Sequence, residues 1–343
     1  MRTWMSALAC ALLGAAAPVA AQAPEPLFAA GDPIHITIRA PVTQLGRNRE
    51  GKGAVSGTLT DPAGQVLPVS LQLRGITRRS ADVCEFPPLR VDFTSPPPAT
   101  SLFVHQGKLK LVTHCRSTAG FQQYVLLEYA IYRMANVLSP RSFRVRLANI
   151  DYTDPSGRPI TSRIGYFIED LRDVARRNGM REAHAPSRIP ATDLSPADAA
   201  RYALFQHMIA NHDWSMRAGP AGEDCCHNAK LIGVTAPGMA VPLPYDFDFS
   251  GLVGAPYATP PDELQLSSVR QRAYRGYCMH NAEALAAARQ FRDARPQLIA
   301  AITSTPGLDA RTQQRAIAFL DPFFADIATD QSTGARVLNR CVN

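Results

Sequence analysis

The chain has 343 residues, of which 46% are hydrophobic, 8% aromatic and 19% charged, and its formal net charge is +7. This composition excludes a disordered or collagen-like chain and leaves enough apolar material for a large core. The positive excess is almost all Arg, because Lys occurs only at 52, 108, 110 and 230; with no Lys/Arg block and no interleaved aromatics, a nucleic-acid partner is not expected.

The opening "MRTWMSALACALLGAAAPVAAQ" has one early Arg, a short apolar run and then small residues. It reads as a cleavable leader over 1–21, cut after Ala21. No later stretch is long and apolar enough to cross a bilayer, so the expectation is a secreted or periplasmic protein without an integral membrane segment. Six cysteines follow the leader: Cys84, Cys115, Cys225, Cys226, Cys278 and Cys341. An even number in an exported chain predicts disulfides. Cys225 or Cys226 is expected to reach a distant partner, Cys115 or Cys278 for preference, and so to staple the segment around them.

Residues 22–34 read as an extended lead-in. From about 34 to 113 the texture is β. "IHITIRAP" alternates, "AVSGTLT" and "QVLPVSLQL" flank the turn Asp61-Pro62-Ala63-Gly64, and "LRVDF" puts Leu89, Val91 and Phe93 on one face. In "GKLKLVT", Leu109, Leu111 and Thr113 share one face, and Lys108, Lys110 and Val112 the other. The period then changes. "FQQYVLLEYAIYRMANVL" sets Phe121, Tyr124, Val125, Ile131, Tyr132, Ala135 and Leu138 on one helical stripe, which Glu128 shares. A carboxylate on such a face is costly unless it is paired or lies at the surface edge.

Strands resume with "FRVRLANI" and "RIGYFIED". Beyond about 170 the pattern is mainly helical. "LSPADAARYALFQHMIANH" starts with Ser195 as N-cap, Pro196 in the first turn and Asp198 in a capping-box position. A short β region spans 229–249, and helices are predicted near 281–303 and 308–328. The expected fold class is therefore α+β: a two-lobed, atypical protein-kinase-like fold. A β-rich N-lobe with one helix (22–170) would precede a mainly helical C-lobe with an inset β-hairpin (171–343).

Phosphoryl transfer from a nucleotide needs few protein groups: an Asp to orient the acceptor hydroxyl, an Asn and a further acid for metal ions, and a Lys steadied by a helical Glu for the phosphates. Magnesium requires hard oxygen ligands. Candidates for each of these groups occur along the chain. Lys108 or Lys110 ends the β half, Glu128 lies one helix later, Asp213 follows the long helix in "NHDWSM", Asn228 opens "HNAKLIG", and Asp246 and Asp248 lie in "PLPYDFDFSG". If the apolar strand before it continues, Asp246 shares a face with Asp248, opposite Phe247 and Phe249. No G-x-S-x-G occurs, which counts against a serine hydrolase.

These segments carry a resemblance. "LQLRGITRRS…FPPLRVDF", "KLKLVTHC…QYVLLEYAIYRM", "IGYFIED" and "NHDWS…HNAKLIG…PYDFDFSG", together covering roughly 70–250, resemble the CotH family of secreted, atypical kinase-like proteins. The resemblance implies ATP and Mg²⁺ or Mn²⁺ as cofactors, with a protein or cell-envelope acceptor. It makes Asp213 similar to a catalytic-loop Asp, Asn228 to the metal-binding Asn, Asp246 and Asp248 to the metal-binding acids, and Glu128 to the partner of the phosphate-binding cation. That cation is Lys110, with Lys108 and Arg90 as rivals. The sequence departs from typical kinases in the 15 residues from Asp213 to Asn228, where about five are usual, and in having no G-x-G-x-x-G; Arg74-Gly75 is the available turn. Two other readings stand beside it: an inactive kinase-like binding module, and a calcium-stabilised structural protein of the cell envelope.

Overall fold

The computed structural model describes residues 23–47, 49 and 53–343. The leader expected over 1–21 lies outside the described residues. The chain enters through a single helical turn, α1 (Pro26–Ala29), where an extended lead-in was expected.

Seven strands follow in the first half: β1 (Ile34–Arg39), β2 (Ala54–Thr60), β3 (Val66–Leu73), β4 (Leu89–Phe93), β5 (Lys108–Val112), β6 (Val145–Thr153) and β7 (Pro159–Ile168), with a short helix α2 (Val42–Arg47) after β1. They form a closed barrel in the order β1-β2-β3-β4-β5-β7-β6. This corrects the expected fold class. A kinase-like fold has an open β-sheet in its N-lobe, whereas here β1 pairs in parallel with β6, from Ile34 opposite Ala148 to Arg39 opposite Thr153, and the sheet has no free edge.

Period-two alternation fills the barrel. Ile36, Ile38, Leu59, Val69, Leu71, Val91, Leu109, Leu111 and Phe167 form one buried cluster, each burial contributing about 1.5–3 kcal/mol. Gly165 lets β5 and β7 approach, since a Cβ there would lie 2.5 Å from the Val112 carbonyl oxygen. The alternate residues Val112, Tyr166 and Ile168 belong to a second core, outside the barrel.

That second core is built on α3 (Ala119–Leu138), which packs against β6, β7 and α7 (Arg295–Thr303). The barrel covers one side of α3 and the helical half the other. Burial is therefore unbroken from Val125 to Tyr132 rather than confined to one stripe. The helix stops at Ser139, which precedes Pro140.

The remaining elements are α4 (Leu171–Arg177), α5 (Pro196–Met208), the antiparallel pair β8 (Ala229–Gly233) and β9 (Ala240–Pro244), α6 (Asn281–Asp293), α8 (Ala310–Asp326) and α9 (Asp330–Arg336). The single helix expected over 281–303 is two, α6 and α7. Pro296 in the first turn of α7 has no N–H to offer and would clash with the carbonyl four residues back. Ser195 sits at the N-cap of α5, but its side chain caps no backbone N–H; the hydroxyl donates to Asp198 at 2.7 Å.

Three disulfides join Cys84–Cys115, Cys225–Cys226 and Cys278–Cys341. They fit an oxidising compartment. Among the described residues no helix is long and apolar enough to cross a membrane. The expected bridge from Cys225 or Cys226 to a distant segment is absent, because the two pair with each other. Backbone hydrogen bonds hold that segment instead: Cys225 to Pro186, Ile189 to Arg217, His227 to Ala218 and Ser215 to His227.

Candidate functional site

Arg78 joins segments far apart in the chain. It lies in a short 3-10 turn, Thr77–Arg79, after β3 and is buried. Its three guanidinium nitrogens meet three carboxylates from two distant segments. Nη1 donates to Glu128 Oε2 at 3.0 Å, Nη2 lies 3.3 Å from Asp246 Oδ1, and Nε lies 3.1 Å from Asp248 Oδ2. Glu128 is thus fully buried at 1% exposure and paired. Its partner is Arg78, however, and not the lysine that the resemblance implied. A planar fork spreads its donors over three carboxylates, where an ammonium offers a single point of charge.

Ligand oxygens of Glu128, Asp246 and Asp248 lie within 4.8 Å of one another. Two acids sit deep, and Asp246 is the open one at 28% side-chain exposure. Burial pulls the Arg78 guanidinium down, but Asp248 and Glu128 outweigh it and hold it well above its ordinary value. Burial pushes Asp248 up to about 7, against the pull of Arg78. Tyr257 donates to Asp248 Oδ2 at 3.1 Å.

The two aspartates do not extend a strand as expected. β9 ends at Pro244, and Asp246 takes a left-handed backbone, φ 61°. Its N–H donates to the Tyr132 hydroxyl at 3.0 Å, and Phe247 packs on the Tyr132 ring at 4.6 Å. A non-glycine residue in this conformation is held by its surroundings, and such sites cluster where a side chain must be aimed. Here the turn brings both carboxylates to Arg78.

Lys110 points out of the barrel, with Nζ 4.3 Å from the Tyr245 ring centroid. Burial and the like charge of Arg74 push its amine down to about 8. Lys230 on β8 is lowered by burial and by Lys110. Arg74 bonds the Tyr245 hydroxyl. Among the described residues none of these three cations forms a salt bridge, and Asp246 lies in the field of all three. The rivals go elsewhere. Arg90 is bound by Asp92 at 2.7 Å, and Lys108 is exposed, lining a different cleft with Arg172 and Arg176.

Asp213 and Asn228, although 15 residues apart, are in contact. Asn228 Nδ2 donates to Asp213 Oδ2 and to its backbone oxygen, each at 2.8 Å. His227 Nε2 lies 2.6 Å from Asp213 Oδ1. The hydrogen bond to Asp213 raises His227 above its ordinary value, against burial. A raised folded-state value means this pair adds stability that is full below the unfolded value of about 6.5 and is lost as pH rises through the folded one. The stability gap between wild type and His227→Gln is therefore expected to be wider at pH 5.5 than at pH 9. Urea denaturation at the two pH values checks it, and a gap that grows with pH would refute the pairing.

Sequence reasoning missed the roles of Arg78, Lys230 and His227. A signal for Arg78 was present: "GITRRS" places an Arg pair just past a strand, and a buried helical Glu needs a forked donor. Compared with protein-family models and with curated proteins, the chain matches none.

Proposed function

We propose that this cleft binds ATP with Mg²⁺ or Mn²⁺ and transfers a phosphoryl group to a hydroxyl on a protein or cell-envelope acceptor. One observation carries the reading: a carboxylate trio near three cations, Lys110, Lys230 and Arg74, that form no salt bridge among the described residues, with Asp246 acting on all three. Unpaired positive charge in a half-buried cleft is costly unless an anion shares it, and a polyphosphate with its metal complements both halves. The resemblance of "NHDWS", "HNAKLIG" and "PYDFDFSG" to CotH proteins supports the same chemistry, on a barrel rather than on a kinase-like N-lobe.

The residues fit a hard dication. Asp246 and Asp248 offer carboxylate oxygens, and Asn228, with its amide nitrogen committed to Asp213, offers only its carbonyl oxygen. Such an ion would share the acids with Arg78 and neutralise phosphate charge. Lys110, Lys230 and Arg74 would hold the phosphate oxygens. Asp213, oriented by His227 and Asn228, would accept the proton of the acceptor hydroxyl; its two oxygens keep lone pairs beyond those the neighbours use.

A second reading has its own support. Arg78 already satisfies all three acids, as it would in an inactive binding module or structural protein. Incubation of the oxidised protein with γ-labelled and α-labelled ATP separates the two. The expected result is metal-dependent transfer of the γ label alone, lost in Asp246→Ala. Transfer of the α label would mean nucleotidyl chemistry. No transfer, together with no nucleotide-dependent rise in melting temperature, would leave the binding or structural reading.

A further inference from the structure

A second cleft, of about 290 Å³, lies where the end of α1, the C-terminal half of α3 and the start of β6 meet. Three arginines line it, Arg133, Arg144 and Arg177, and no carboxylate does. Arg177 is spent. It pairs with both oxygens of Glu169, at 2.9 and 3.0 Å, and donates to the carbonyls of Pro140 and Ser142.

Arg133 and Arg144 are different. Arg133 donates to the Ser304 hydroxyl and carbonyl, at 3.2 and 3.4 Å, and lies 6.0 Å from the Tyr129 ring centroid, and Arg144 donates to the Phe28 carbonyl at 3.5 Å. Among the described residues neither forms a salt bridge. The nearest acid to Arg144 is Glu169, whose oxygens already accept from Arg177 and from the Arg144 backbone N–H at 2.9 Å. Asp32, exposed, acts on the neighbouring Arg146 and Tyr129. Burial and the like charge of Arg177 hold Arg144 below its ordinary value.

We infer that this cleft is a binding site for a phosphate-like oxyanion, free or as a phosphate monoester, gripped between Arg133 and Arg144. Two half-buried guanidinium forks that form no salt bridge among the described residues, with Glu169 acting on Arg144 only at a distance, offer N–H donors of the kind oxyanions accept, and such charge-assisted bonds are about twice as strong as neutral ones. Three arginines against the single buried carboxylate of Glu169 leave the cleft net positive. It shares no lining residue with the carboxylate trio, so it stands apart from the proposed nucleotide site.

The test is isothermal titration of the full, oxidised chain with inorganic phosphate and with glycerol phosphate, at constant ionic strength set by chloride. Wild type, Arg133→Gln, Arg144→Gln and Arg144→Lys would be compared with Lys110→Ala, which alters only the nucleotide cleft. Saturable binding is expected for wild type and Lys110→Ala alike. It should weaken about tenfold or more in each Gln variant and partly in Arg144→Lys, which keeps the charge without the fork. Binding of both ligands points to a monoester site, and of inorganic phosphate alone to a free-anion site. Melting curves without ligand establish that each variant is folded; if a Gln variant is not, Arg144→Lys decides. Absence of saturable binding to wild type up to about 10 mM overturns the inference. So does binding that survives in the arginine variants and disappears in Lys110→Ala, which would place the anion in the nucleotide cleft.

Discussion

Replacing Arg78 by Gln is expected to destabilise the fold by about 3–5 kcal/mol, the usual consequence of removing one partner from a buried charge cluster. Glu128 and Asp248 are almost wholly out of water, at 1% and 8% side-chain exposure, and their shared counter-ion is this guanidinium. Without it, three carboxylates with oxygens within 4.8 Å face one another. They can relieve the repulsion by taking up protons, and Asp248 is already pushed up to about 7 in the intact site. The loss should therefore be larger at pH 8 than at pH 6. A divalent cation is the other remedy. Mg²⁺ or Mn²⁺ at about a hundred times its dissociation constant should restore about 2.7 kcal/mol. Urea denaturation of both proteins, with and without metal, measures each part. A variant as stable as wild type would falsify the central pairing. A variant that metal does not rescue would show that the trio is no cation site.

Asp213→Asn should leave nucleotide affinity within a few-fold while lowering phosphoryl transfer by about 10²–10⁴-fold, the range of general-base assistance. The expectation rests on the proposed function and on a division of partners. Asp213 is bonded to His227 and Asn228, and Arg78 is bonded to the trio, so the acceptor side and the metal side use different carboxylates. An amide at 213 can accept from one neighbour through its oxygen but presents N–H to the other, so the substitution removes the base and disturbs its orientation at once. Single-turnover transfer measured beside nucleotide titration separates the two effects. Loss of nucleotide binding with turnover retained would reverse the assignment of Asp213 and Asp246.

Much of the secondary structure is legible in the residues because its cause is local. Alternation in "KLKLV" already sets Lys110 opposite Leu109 and Leu111, and in the fold those leucines fill the barrel while Lys110 faces Tyr245. The stripe through "FQQYVLLEYAIYRMANVL" announces α3, and Glu128 on it left a buried pairing and a place at the surface edge both open, of which the fold takes the first. Residue types were enough to single out the acids. What the chain alone did not decide is who meets whom. The β1–β6 pairing that closes the barrel joins residues more than a hundred apart, and period-two patterning is the same for an open or a closed sheet. Arg78 meets Glu128 across 50 residues and Asp246 across 168, from a turn whose local sequence has no periodicity to read. Cysteine spacing likewise permits many connectivities. The actual pairs follow from which loops the backbone hydrogen bonds bring together, and that is settled by packing. Local propensity thus determined the elements, while burial of two separate cores and the need to neutralise buried carboxylates, both properties of the whole chain, decided the site.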